Sequence, residues 1–216
     1  MKFILMGATG FVGEGVLLEC LSHPDVEEVL SISRKPVGLS HSKLRQLIVP
    51  NFAEIARMKD QVTGYDACMY CVGVSSWGMD EATYTKITYD TTLGVAAVLA
   101  EVNPGMVFNF VSGRSTDSSE KGKVMWARVK GKTENALRNY SFKNQYNFRP
   151  GSMKPTPGQR NVKPVHRIVS FIYRSLFPGK TIQMREVGLA MINAVLYGYP
   201  KQTLEMEDIE KLAQLK

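Results

Sequence analysis

Cysteine and histidine are scarce in this sequence, with three of each in 216 residues. Three cysteines do not make the framework of a small disulfide-stapled protein, and a reducing, cytoplasmic setting is the default expectation for such a chain. No uninterrupted apolar stretch approaches the roughly twenty residues that a membrane-spanning helix needs. No basic-then-apolar leader of the secretory kind is read at the start. Internal repeats and low-complexity tracts are absent. Acidic residues are missing from one long stretch. From Asn135 to Arg185 there are ten Lys or Arg and no Asp or Glu, so the net charge of +7 is a local property and the rest of the chain is slightly acidic.

What is present is ordinary for a globular protein: 44% hydrophobic and 22% charged residues. The length suits one domain spanning residues 1–216. Residues 152–216 are too few for a core of their own. They are expected to form a small helical extension lying over the carboxyl edge of a sheet.

The most informative stretch is the beginning. Phe3 to Met6 is an uncharged apolar run, as a strand buried on both faces requires. Gly7, Gly10 and Gly13 follow at three-residue intervals in GATGFVG, and an apolar helical stretch follows them. A strand, a glycine-rich turn and a helix in that order form a phosphate cradle. Gly7 permits a tight turn, Gly10 lets backbone N–H groups approach a pyrophosphate, and Gly13 lets the helix pack on the strand. The helix N-terminus adds its partial positive charge. Gly7, Thr9, Gly10, Phe11, Val12 and Gly13 are therefore read as dinucleotide-binding residues.

Further strands are expected at Val29–Ile32, Leu44–Val49, Tyr65–Gly73, Met106–Val111 and Gln145–Arg149. Helices are expected to separate them, a long one over Asp80–Val102 and another over Lys123–Asn139. Alternation of this kind predicts an α/β fold with a doubly wound parallel sheet. Beyond it come a basic loop, Ser152–Pro164, and helices at Val165–Phe177, Arg185–Tyr197 and Glu205–Gln214. Cys68 and Cys71 have C-x-x-C spacing, but in a strand residues three apart face opposite sides. They are read as buried strand cysteines, with no metal site.

At the end of the second strand an Asp or Glu would hold the adenosine ribose of NADH. Arg34 and Lys35 stand there instead. A guanidinium suits a 2′-phosphate by charge and by its forked donors, so NADP(H) is expected in preference to NAD, which stays open. The plain alternative is that both side chains are simply solvated. Cys71, Val72 and Gly73, at the end of the fourth strand, are placed to meet the cofactor's ribose and nicotinamide side. The loop Val74–Trp77 follows them.

GATGFVG, the Asp90-Thr91-Thr92 helix, FNFVSG at Phe108–Gly113, WARVK at Trp126–Lys130 and FRPG at Phe148–Gly151 together resemble the atypical and extended branches of the short-chain dehydrogenase/reductase superfamily, with its NmrA-like and epimerase-like members. The resemblance covers Met1 to about Gly151 and implies a Rossmann fold. It further implies that Ser112, after the fifth strand, orients a substrate carbonyl, and that Lys130 holds the nicotinamide ribose and tunes a tyrosine four residues before it. One helical turn puts such a pair on one face. Here that position is Trp126, whose indole donates a hydrogen bond but carries no exchangeable acid proton at neutral pH. Tyr84, Tyr89 or an ordered water are the remaining sources of a proton. Tyr197 and Lys201 have the same spacing, but Gly198 and Pro200 interrupt it. Ser112 also reads as a plain turn serine, and Lys130 as an exposed helix lysine.

Three functions follow: an NADPH-dependent oxidoreductase acting on a small carbonyl or quinone, a non-catalytic NADP(H) sensor, and a nucleotide-sugar epimerase or dehydratase. The acid-free stretch suits an anionic small-molecule substrate, a nucleic acid or an acidic protein partner. Its helix at Val165–Phe177 has basic and apolar faces, and the apolar face suits the core or a homo-oligomer interface.

Overall fold

The computed structural model describes residues 1–162 and 181–215. Nine strands are found among them. These are β1 (Lys2–Met6), β2 (Glu28–Ser33), β3 (Leu44–Ile48), β4 (Ala67–Tyr70), β5 (Val107–Val111), β6 (Asn144–Phe148), β7 (Ser152–Lys154), β8 (Thr181–Gln183) and β9 (Thr203–Leu204). The α-helices are α1 (Phe11–Ser22), α2 (Glu81–Thr85), α3 (Thr91–Val102), α4 (Met125–Leu137), α5 (Met184–Leu196) and α6 (Met206–Ala213). Seven strands make one sheet in the order β3-β2-β1-β4-β5-β6-β9, and every neighbouring pair is parallel. This is the doubly wound Rossmann order with one strand added. β7 and β8 pair separately.

The strand interiors are apolar because both faces are covered. Phe3 and Leu5 of β1 join Val16, Leu17, Val187 and Met191 under α1 and α5, while Ile4 and Met6 join Val95, Leu99, Phe108 and Phe110 under α3. Cys68 belongs to the second cluster and Cys71 packs on the first, so the C-x-x-C residues do face opposite sides. All three cysteines are free.

The five later strands match the sequence reading to within a few residues. The long helix over Asp80–Val102 is interrupted. Asp80 caps its start, its carboxylate accepting from the Thr83 N–H at 2.8 Å. Between α2 and α3, however, Lys86–Asp90 form a π-helical turn. There the Lys86 carbonyl accepts from the Thr91 backbone N–H, five residues on, and from the Thr91 hydroxyl at 3.0 Å. Period counting at 3.6 residues does not reveal the extra residue. The basic loop starts with β7, and β9 was not foreseen at all, being two residues long. The expected helices near residues 185 and 205 are α5 and α6. The one over Val165–Phe177 lies outside the described residues.

α1 carries two nearly buried acids, and each has a use. The Glu14 carboxylate accepts from the backbone N–H groups of Arg160 and Asn161, at 2.8 and 2.7 Å, which docks the loop after β7 onto the start of the helix. Gln159 reinforces this by donating to the Phe11 carbonyl at 2.8 Å. Glu19 faces Arg185 of α5 at 3.7 Å, and burial raises its pKa.

Candidate functional site

The turn after β1 is built to the limit of available space. Gly7 has φ +87°, and a Cβ there would stand 2.6 Å from the Cys71 carbonyl oxygen. A Cβ on Gly13 would stand 2.1 Å from the Gly7 carbonyl oxygen. Gly10 donates to that same carbonyl at 2.9 Å and caps α1 with no side chain of its own. Thr9 and Gly10 are exposed and Phe11 and Val12 partly so, while Gly13 is buried. A bare backbone turn at a helix N-terminus, with its crest open to solvent, fits a pyrophosphate.

Beside it lies a cavity of about 560 Å³ at the carboxyl ends of β2, β3 and β4. Arg34, Asn51, Phe52, Val72, Gly73 and Lys86 are on its wall. Three of these, Arg34, Val72 and Gly73, were singled out from the sequence. Lys35 is exposed and is not on the wall; its carbonyl instead accepts from the buried Ser33 hydroxyl at 2.7 Å. Cys71 serves as backbone against Gly7, and its thiol is pushed up to about 12 by burial. The Asn51 side chain caps the short 3-10 turn after β3, and the residue lines the cavity. Lys86 was missed because only the π-helical turn shows where it points.

The second group lies at the end of β5. Lys130 donates from Nζ to the Ser112 carbonyl at 2.5 Å, with the Val111 carbonyl at 3.4 Å. Burial lowers its pKa from 10.5 to about 8, against the pull of Glu134. The Ser112 hydroxyl lies 2.5 Å from Oε1 of Glu134 and 3.2 Å from the Phe148 carbonyl, and the residue is buried. Glu134 is fully buried and held by Arg149. Ser112 and Lys130 are thus brought together, with the hydroxyl turned to a carboxylate inside the protein. Trp126, one turn before Lys130 on α4, is partly exposed.

The other proton sources are differently placed. Tyr84 is buried, and desolvation raises the pKa of its phenol. Tyr89 lies under the Lys132 ammonium, 4.6 Å from the ring centroid. Lys201 pairs with Asp208 at 2.7 Å, so the Tyr197–Lys201 spacing leads to an ion pair.

The model of the NAD dependent epimerase/dehydratase family matches residues 3–142, more than half of the chain. The chain belongs to that family. Protein fmp52-1, mitochondrial, of Aspergillus terreus (strain NIH 2624 / FGSC A1156) is 26% identical over an alignment of 162 positions that covers 70% of this chain and 66% of that protein. The chain thus matches just under two thirds of this curated relative. Among solved structures, DesIV (dTDP-glucose 4,6-dehydratase) from Streptomyces venezuelae, with NAD and TYD bound, superposes with a TM-score of 0.72. It is 14% identical, covering 95% of this chain and 75% of its own. A short chain dehydrogenase from Burkholderia cenocepacia J2315 in complex with NADP gives 0.65 at 15% identity, covering 99% and 91%. At these identities the likeness concerns the fold.

The acid-free stretch separates in space. Arg149 is buried in its pair with Glu134, Arg185 faces Glu19, and Arg160 donates to the Gly38 carbonyl at 3.1 Å. Arg138, Lys143 and Lys154 are exposed. Lys163, His166, Arg167, Arg174 and Lys180 lie outside the described residues. No helix among the described residues is long and apolar enough to cross a membrane.

Proposed function

We propose that this chain binds NADP(H), with the pyrophosphate on the Gly7–Gly13 turn and the adenosine in the cavity beneath Arg34, and uses it to reduce a small carbonyl or quinone. The observation that carries the reading is Arg34. It stands just after β2, where an acid would favour NADH, on the cavity wall and with no ion-pair partner among the described residues. A 2′-phosphate would meet a forked, uncompensated donor there.

Bound reduced dinucleotide would supply a hydride to the carbonyl carbon. The carbonyl oxygen then needs a proton, and Trp126 has none to give. Lys130 holds one whose pKa, about 8, lies near neutrality, and its position at the end of β5 suits both the ribose and that proton. Exposed cations suit a substrate that is itself anionic.

A second reading, a non-catalytic NADP(H) sensor, is favoured by Trp126 and by the capture of the Ser112 hydroxyl by Glu134. A sugar-nucleotide epimerase or dehydratase is suggested by the family's name. NADPH oxidation over aldehydes, quinones and sugar nucleotides separates the three. Activity created by Trp126→Tyr and absent from the parent would favour the sensor; parent turnover that Trp126→Tyr barely changes would favour reduction through Lys130. Three free cysteines suit a cytoplasmic setting, which fractionation would test against the mitochondrial location in the relative's name.

A further inference from the structure

The cavity beneath Arg34 has a second cation, Lys86, on its wall. Lys86 and Asp90, the first and last residues of the π-helical turn, both line it with Thr91. Charged side chains elsewhere in the chain are commonly paired, as Lys59 is with Glu101, Arg128 with Glu81 and Lys201 with Asp208. Arg34, Lys86 and Asp90 have no hydrogen-bond or ion-pair partner for their side chains among the described residues, although they share one cavity. The turn itself is an insertion of the kind found at functional sites. One extra residue rotates what precedes it by about 100° relative to α3, since an α-helix turns once in 3.6 residues. The Thr91 hydroxyl and N–H hold this arrangement on the Lys86 carbonyl.

We infer that Lys86 is a second determinant of cofactor choice, delivered by the π-helical turn to bind the 2′-phosphate together with Arg34. The inference rests on the dinucleotide reading above and deepens it. Arg34 supplies a planar fork and Lys86 a point charge from the opposite element, so a phosphate carrying about two negative charges is met from two sides. Asp90 is the opposing charge on the wall. It suits a donor such as the adenine amino group, and it leaves the cavity with a net positive charge before the phosphate arrives.

The test is equilibrium titration of the full chain with NADPH, NADH, 2′,5′-ADP and 5′-ADP, followed by cofactor fluorescence and calorimetry. Variants are Lys86→Met, Lys86→Arg and Arg34→Met. Lys86→Met should weaken NADPH and 2′,5′-ADP by about tenfold, as loss of one charge-assisted contact does, and leave NADH and 5′-ADP within about twofold. Lys86→Arg should keep the preference, which separates lost charge from damaged folding. Equal weakening of both dinucleotides, or an unchanged NADPH-to-NADH ratio in Lys86→Met, would overturn the role of Lys86 while leaving the dinucleotide site standing. Failure of the parent to bind either dinucleotide would overturn both.

Discussion

The Arg149 guanidinium grips the buried Glu134 carboxylate through two nitrogens, Nε at 3.0 Å and Nη2 at 2.5 Å. The same arginine reaches Glu205 at 3.0 Å and the Ser118 hydroxyl at 2.6 Å, so one residue ties β6 to α4, to the loop before it and to the start of α6. Without Glu134 the guanidinium keeps only the half-exposed Glu205 as a charge partner, at a cost of up to about 3–5 kcal/mol. Glu134→Ala is therefore expected to lower the urea midpoint sharply. It should also free the Ser112 hydroxyl. Replacing both members by apolar residues should cost less than the single change, which a double-mutant cycle would measure.

Gly13→Ala is expected to damage folding and cofactor binding together. The new Cβ would lie 2.1 Å from a backbone oxygen, and no side chain can move aside to relieve it. Overpacking at such a point costs about 1–3 kcal/mol or more. A thermal melt, with NADPH titration of whatever remains folded, checks both effects.

Lys130 makes stability depend on pH in a defined window. Its pKa is about 8 in the folded chain and 10.5 when solvated. Between those values the unfolded chain binds a proton that the folded chain has released, so stability rises with pH across the window. Below about pH 8 both states are protonated and the burial penalty is present in full. Urea unfolding from pH 7 to 10 should show this rise in the parent, and Lys130→Met should reduce it.

Glu14→Ala should release the loop that carries Arg160 and Asn161. Two backbone N–H groups would lose their acceptor; Arg160 and Asn161 are exposed, so water can replace it and the cost should stay at about 0.5–1.5 kcal/mol each. Hydrogen exchange at Gln159–Asn161 should accelerate, while β1 and β4 keep their protection. Equal loss of protection in the sheet would mean that Glu14 supports the whole fold instead.

How far the sequence could be read follows from where its signals are local. GATGFVG, the apolar strands and Arg34 depend on neighbours in the chain, and composition and period make them visible. The capture of Ser112 by Glu134 joins residues 22 positions apart across β5 and α4. Neither residue type announces that contact. β9 contributes two residues to the sheet, too few for any alternation to register. Lys86 was hidden by the π-helical turn, because a helical period assigns it to another face. The acid-free stretch looked like one basic surface in sequence, but folding turns Arg149 and Arg185 towards Glu134 and Glu19.

The most direct test of the account is to titrate the purified parent chain with NADPH and NADH under the same salt and pH. Binding of NADPH at least tenfold tighter, with the gap closed by Arg34→Met, is the result expected of a cavity that meets a 2′-phosphate with unpaired cations. NADH binding as tightly as NADPH in the parent, or no binding of either, would contradict it.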